Sequence, residues 1–408
     1  METTDFSKLR AYCIEKTDLN AKVIDQFLVD LAGRKHNNED KMLRALKPFA
    51  SIVKKWDDEV VPYFMGEYLI LQILQKDGLI HSYLNHASVL KRPAAEQEFL
   101  HLLAKEPAVF SFFTILSNPS PDFFTAIDLF TGEEFLFYSP ATQKTPEEER
   151  KGMWFTLRAN IGPCWIFYGI NIYLHGLTPD DIYFYATEID PEVETNEDLM
   201  AQVHSKPFHY FMLFDLNYYP AMTIQQHHMR FVTADDVTKL PPKKELEARF
   251  ETETREQVTR MILLGEEEEN GARTVTGEAF FDRGTGELHR SAFSIAQFDM
   301  LTEELRKAGF DIPDEPTVSV APQMLSFAGE ILKRQIILNP YGDLFDDDDE
   351  LDEEGELLMA KMNAFTSELA VLINQNITPD LDALADEFEL PHDSARHLYN
   401  AMTSQVKR

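Results

Sequence analysis

The chain has 408 residues, 44% of them hydrophobic, and 70 acidic side chains against 38 basic ones give it a formal net charge of −32. The apolar share excludes disorder as the dominant state, because a disordered chain lacks the apolar mass to offset its ordering entropy; at roughly 100–200 residues per domain, two to four domains are expected. The carboxylate excess repels phosphate backbones at long range, so nucleic acid is disfavoured as a partner.

Residues 3–116 read as helical, in four to six helices packed as an irregular bundle. Leu19, Val23, Phe27, Leu28 and Leu31 recur at helical spacing, with Thr17 or Asp18 as a start cap and Gly33 as a stop. Tyr63–Leu74 reads as a second helix stopped at Asp77-Gly78, and Glu96–Leu103 as a third ending before Pro107, with Pro48 and Pro62 as punctuation. Across residues 34–55, seven cations (Arg34, Lys35, Lys41, Arg44, Lys47, Lys54, Lys55) face only Glu39 and Asp40. That run reads either as a solvated helix face or as a docking patch for an anion or acidic segment. Cys13 and Cys164 lie 151 positions apart and are the two cysteines present. They cannot frame a disulfide scaffold or supply a four-cysteine zinc site, and they suit a reducing compartment.

The polar SNPSPD at 117–122 marks an expected boundary. Short aromatic and β-branched runs follow at Phe123–Phe130, Glu134–Tyr138, Met153–Asn160, Trp165–Leu174, Ile182–Thr187 and Phe208–Leu216. Read as six strands, they predict a small antiparallel β-barrel or sandwich, with a hairpin turn at Thr131-Gly132. After PPKK, Glu245–Leu264 reads as an amphipathic helix with Leu246, Phe250, Val258, Met261 and Ile262 inside. Thr274–Phe281 and Glu287–Phe293 flank DRGTG as a hairpin, and Ile295–Ala308 follows as a helix, an α+β order.

Residues 343–356 hold ten carboxylates, and mutual repulsion predicts an extended, mobile tether that could rest on the 34–55 cations. Beyond it, Leu357–Asn374 and two short helices around Glu389-Leu390-Pro391 complete the pattern. The last pair looks like a helix-turn-helix with Leu384, Ala385, Leu390, Ala395 and Leu398 inside. However, Glu389 stands where Gly is usual, and the second helix offers only Arg396 and two histidines to DNA.

The expected architecture is α+β. It comprises a helical domain at 1–116, an antiparallel β domain at 117–240, an α+β hairpin-helix unit at 241–342, the acidic linker at 343–356 and a helical module at 357–408.

No G-x-G-x-x-G, Walker or G-x-S-x-G pattern occurs, so nucleotide cradling and nucleophile-elbow chemistry are not expected. Taking Gly355 as the pivot of a calcium loop puts Lys361 where a bidentate carboxylate is required. His204, His209, Asp215, His227 and His228 concentrate within 25 residues. His209, Asp215, His227 and His228 are the candidate ligands for a divalent metal, since His with carboxylate suits Zn, Fe or Mn. Glu98-x-x-His101 and Glu389-x-x-His392 carry the spacing used in di-iron bundles, without the two further glutamates on partner helices.

At Asp128-Leu-Phe-Thr-Gly-Glu133 the strand–turn–strand run resembles one in uncharacterised bacterial proteins with a small β-barrel, some of which carry a SEC-C zinc motif. The hairpin and helix of Thr274–Phe310 are also similar in order to a unit of those proteins, so the resemblance spans residues 120–310. The clustered Cys and His of the SEC-C motif are absent, so no ligand or catalytic residue carries over.

The expected function is that of a protein-interaction or adaptor protein without catalytic activity or cofactor. The alternatives are a metal-dependent enzyme at the His-rich region and a DNA-linked regulator using the C-terminal helices. No apolar run reaches the roughly 18 residues of a membrane span, and METTDFSKLR has no apolar signal core. A cytoplasmic location and a protein partner are expected.

Overall fold

The computed structural model describes residues 5–36, 38–57, 60–219, 222–224, 227–267, 273–345, 353–374, 379–392, 395–396 and 398–399. Within them the fold is α+β, and the chain clusters into two compact units. The first holds residues up to Leu216 together with Phe327–Arg334; the second holds Asn217–Ser326 and Gln335 onward. No helix among the described residues is long and apolar enough to cross a membrane.

The first unit opens with α1 (Phe6–Asn20), whose start is capped by Asp5: its carboxylate accepts from the amides of Ser7 and Lys8. The helix therefore begins well before the expected Thr17 or Asp18 cap. It continues through a π-helical stretch, Ala21–Leu28, that buries Val23, Ile24 and Leu28, into α2 (Val29–His36). Gly33 lies inside α2 rather than after it; a helix tolerates Gly at a cost of about 1 kcal/mol. Next come α3 (Asn38–Leu46), a 3-10 turn at Lys47–Phe49, α4 (Ala50–Val53) and α5 (Val60–Leu74). Two single-turn helices, α6 (Ile80–Tyr83) and α7 (Ala87–Leu90), lead to α8 (Ala94–Leu103). Pro62 sits in the first turn of α5, where its missing N–H breaks no intrahelical bond.

A closed five-stranded barrel comes next: β1 (Val109–Ser120), β2 (Phe123–Asp128), β3 (Glu134–Tyr138), β4 (Met153–Asn160) and β5 (Trp165–Leu174), in the order β1-β2-β3-β5-β4. A single-turn helix, α9 (Glu147–Arg150), precedes β4. The expected hairpin at Thr131-Gly132 is present, with Phe124 opposite Phe137. The barrel is not wholly antiparallel, because β3 closes onto β5 in parallel at Phe137–Trp165. SNPSPD lies within the barrel: its first four residues end β1, and Asp122 turns the chain at φ +66° into β2.

Phe113, Phe124, Ala126, Phe135 and Phe137 fill one apolar cluster with Ile115, Trp154, Trp165 and Phe167 against it. On the other face of β1 and β4, Phe112 and Phe155 lie 4.5 Å apart, and Phe110 meets Phe211 at 5.8 Å.

Two segments read as strands are helical. Ile182–Thr187 lies in α10 (Pro179–Ile189), which opens with Pro at its start and a capping box between Thr178 and Asp181. Then α11 (Asn196–Ser205) leads to Phe208–Leu216, which forms α12 (Pro207–Phe211) and a 3-10 stretch, Met212–Tyr218. Phe208, Tyr210, Phe211, Met212, Leu213 and Leu216 are all buried. A segment buried on every side carries no one-face pattern, so its alternation is coincidental.

The second unit contains a short ribbon, β6 (Thr223–Ile224) with β7 (His227–His228), and a six-stranded antiparallel sheet. Its strands are β8 (Phe231–Val237), β9 (Glu251–Arg255), β10 (Val258–Glu267), β11 (Arg273–Asp282), β12 (Glu287–Ala292) and β13 (Val318–Val320), ordered β13-β8-β12-β11-β10-β9. The expected helix at 245–264 is corrected to a turn of helix, α13 (Lys243–Glu247), followed by the β9–β10 hairpin, whose turn holds Glu256 at φ +50°. The alternating Glu-Thr-Glu-Thr-Arg favours a strand. The hairpin β11–β12 and the helix α14 (Ile295–Ala308) match expectation, and Gly309 closes α14 at φ +107°.

Three further helices are α15 (Pro322–Leu332), α16 (Gly342–Phe345) and α17 (Glu353–Asn374). The acidic run is therefore helical at both margins. Its centre, 346–352, lies outside the described residues, and so does the expected tether contact. Finally, α18 (Leu381–Glu387) shares one apolar cluster with α17 and the residues that follow: Phe365 and Leu369, Leu384 and Ala385, then Leu390 and Ala395. Glu389 takes the left-handed turn at φ +53°.

Candidate functional site

In the first unit, Met42, Leu46, Phe49 and Ile52 along α3, the 3-10 turn and α4, and Trp56 just past α4, are buried in succession. This spacing of three to four residues is one helical stripe. A second stripe, Leu43, Lys47, Ala50 and Lys54, stays exposed, Leu43 at 57%. Together with Leu46, Val53 and Val61 it lines an open groove of about 600 Å³, with Arg44, Lys47 and Lys54 against Asp40 as the charged members. Arg44 Nε donates to the Asp40 carbonyl at 3.1 Å, and Lys55 pairs with Glu330 at 3.0 Å. The groove thus combines an apolar floor with three cations, drawn from the basic run of the sequence. The side chains of Arg34 and Lys35 lie outside those described. A second hollow of similar volume lies beside the first turn of α5, lined by Asp57, Val60, Tyr63, Gly169 and Ile170.

The candidate metal ligands fall in different units. His209 lies on α12, its ring edge-on to Phe49 at 5.0 Å. Asp215 accepts Trp56 Nε1 at 3.2 Å, and burial raises its carboxyl above the usual range. His227 and His228 are in the second unit; His228 is exposed and the His227 side chain is not described. Among the described residues no group of three or more His, Cys, Asp or Glu is placed to hold a metal. Neither di-iron spacing gathers further ligands among the described residues. Glu98 and His101 are exposed, Glu389 pairs with Lys361, and His392 pairs with Asp386 at 2.8 Å.

His209 has a consequence for stability. Burial, helped by the Lys206 charge, lowers it to about 4, and its Nδ1 has no hydrogen-bond partner among the described residues. A base whose folded value lies below its unfolded one is neutral in the fold. The unfolded chain gains the proton first as pH falls, so stability drops from about pH 6.5 downward and levels near pH 4. Because the ring is only part-buried, a discounted loss of about 2 kcal/mol is expected. His209→Leu should remove that share of the slope in urea unfolding at pH 4.5 and 7.5; an unchanged slope would assign it to other groups.

Sequence reasoning missed two sites in the second unit. On β12, His289 Nδ1 lies 2.7 Å from Asp235 Oδ1, directly across from it on β8. The ring is buried with Nε2 unpartnered among the described residues. No hydroxyl or thiol among the described residues joins it to form a nucleophile–base pair. Its neighbour Arg290 points to the other face and pairs with Asp236. Direct cross-strand opposition of His289 and Asp235 is the readable signal, but only once the β8–β12 register is known.

In the C-terminal helices Arg396 Nη2 donates to both carboxylate oxygens of Asp382 at 2.9 and 3.0 Å. Comparison with protein-family models, with curated proteins and with solved structures finds no match.

Proposed function

We propose that this protein is an interaction module whose first unit docks an acidic amphipathic helix of a partner protein in the groove of α3, α4 and α5. One observation carries the reading: an open groove whose apolar lining, Leu43, Leu46, Ala50, Val53 and Val61, is interleaved with Arg44, Lys47 and Lys54, in a chain that is otherwise strongly acidic. An apolar floor takes leucine-type anchors at i, i+4 and i+7. The cations favour carboxylates on the flanks of that helix and discourage basic partners.

The test is fluorescence anisotropy of the full chain with a labelled amphipathic peptide, leucines at i, i+4 and i+7 and glutamates elsewhere. Binding should weaken at least about tenfold in the double variant Lys47→Glu/Lys54→Glu. It should also fall as salt shortens the screening length below about 8 Å. Leu43→Ala should weaken binding without changing its salt dependence. A peptide that binds wild type and the double variant equally removes the proposal.

A further inference from the structure

The two cysteines, distant in sequence, meet in the first unit. Cys13, on the inner face of α1, and Cys164, in the loop between β4 and β5, have their sulfurs 3.0 Å apart. Both side chains are buried. That is about 1 Å beyond the bonded S–S distance of about 2.05 Å, so the two sulfurs are already neighbours. The loop is already held to the helix: Tyr12 Oη donates to the Ile161 carbonyl at 2.7 Å, and the Ile161 amide donates to the Cys164 carbonyl at 3.0 Å. Gly162 makes the turn at φ +102°.

We propose that Cys13 and Cys164 form a reversible, peroxide-oxidised disulfide that ties α1 to the barrel. The oxidant is hydrogen peroxide, small enough to reach thiols through a local opening. The Cys13 thiolate attacks a peroxide oxygen; the O–O bond breaks, hydroxide leaves and takes up a proton as water, and Cys13 becomes a sulfenic acid. The Cys164 sulfur then attacks that sulfur, the S–O bond breaks and a second water departs with the thiol proton. Two thiols lose two electrons and two protons, and one peroxide becomes two waters. Either sulfur can donate to the other across the 3.0 Å contact, so the same two steps balance with the roles exchanged. The hydrogen bond between the sulfurs lowers Cys13, and the same contact together with burial raises Cys164, which favours Cys13 as the attacking group and Cys164 as the resolving one.

The experiment uses the full chain, reduced and then exposed to stoichiometric peroxide, alkylated under denaturing conditions and measured by intact mass and peptide mapping. The expected result is a loss of about 2 Da, two cysteines closed to alkylation, and one crosslinked peptide pair containing Cys13 and Cys164. Dithiothreitol should restore both thiols. Tryptophan fluorescence, whose three reporters all lie in the first unit, should show a thermal midpoint raised on the order of 10 °C by the crosslink. In Cys164→Ser, peroxide should leave a sulfenic acid on Cys13 that dimedone captures. Two alkylatable thiols after treatment, oxygen addition in place of hydrogen loss, or crosslinks only between chains would each overturn the proposal. The wild-type mapping decides even if a cysteine variant does not fold.

Discussion

Asp236→Ala is expected to destabilise the second unit by about 3–5 kcal/mol, the cost of stranding a buried cation. Arg290 is fully enclosed. Its Nε and Nη2 donate to Asp236 Oδ2 at 3.1 and 2.8 Å, and its Nη1 donates to Thr302 Oγ1 at 2.7 Å and the Pro313 carbonyl at 3.2 Å. The guanidinium lies over the Phe298 ring at 4.9 Å. Burial lowers Arg290 from its ordinary value even with Asp236 beside it, so desolvation exceeds the attraction of its partner. Removing the carboxylate leaves the desolvation cost in place and takes away its main compensation. Replacing both partners, as in Arg290→Met/Asp236→Leu, removes the cost as well and should fall within about 1–2 kcal/mol of wild type. Urea unfolding followed by far-UV circular dichroism measures both; tryptophan fluorescence does not, since every tryptophan is in the first unit. A single variant no worse than the double one would show that Asp236 is not what holds Arg290.

The residues that make this pair illustrate what a sequence discloses. Asp235 and Asp236 are adjacent, and so are His289 and Arg290; the alternation of a strand sends one member of each pair to either face. The chain shows these four letters but not the register that makes His289 face Asp235. Local signals are more legible. The β11–β12 hairpin and α14 are readable because a glycine-rich turn, strand alternation and a helical stripe agree with one another. The apolar set of α18, Leu384 and Ala385, is legible because its opposite face, Asp382, Ala383, Asp386 and Glu387, stays in solvent.

Legibility fails where that contrast vanishes. Phe208–Leu216 is buried all round, and the phenylalanines of β1 fit either a helical or a strand period, which merges that strand with the helices before it. In α10 the Thr178-Pro-Asp-Asp181 start signal outweighs the aromatic content of Ile182–Thr187. Half of the candidate site is visible as a basic run. Its apolar floor is not, because Leu43 and Ala50 become a surface stripe only once Met42, Leu46 and Phe49 are known to face inward. The pairing of Cys13 with Cys164 cannot be read, since spacing carries no information about a contact made through a barrel loop.

Gly169 should be the position least able to accept a side chain. Strand β4 pairs Phe155 with Ile172 and then Leu157 with Tyr168, so three residues of β5 bulge opposite Thr156. Gly169 holds φ +72°, and a Cβ there would lie 1.8 Å from Glu67 Oε2. Glu67 comes from α5, is 2% exposed and accepts the Ile170 amide at 3.3 Å. It therefore cannot retreat without giving up that bond. Left-handed backbone alone costs a non-glycine residue about 1–2 kcal/mol; with the clash, Gly169→Ala should lose about 3–5 kcal/mol. Adding Glu67→Ala removes the clash but not the backbone cost, so the double-mutant cycle should show coupling above about 1 kcal/mol.

The same carboxyl gives a pH signature. Burial raises Glu67 well above its ordinary value, against the lowering effect of the Ile170 and Leu157 amides. An acid whose folded value exceeds its unfolded one favours the fold while both states are protonated. That advantage shrinks as pH rises from the ordinary glutamate value toward the raised one, at about 1.4 kcal/mol per unit of separation. Glu67→Gln keeps an acceptor for the Ile170 amide and cannot ionise, so its stability relative to wild type should increase as pH rises from 5 to 8. A variant whose difference from wild type stays constant over that range would mean that Glu67 is ionised in the fold throughout.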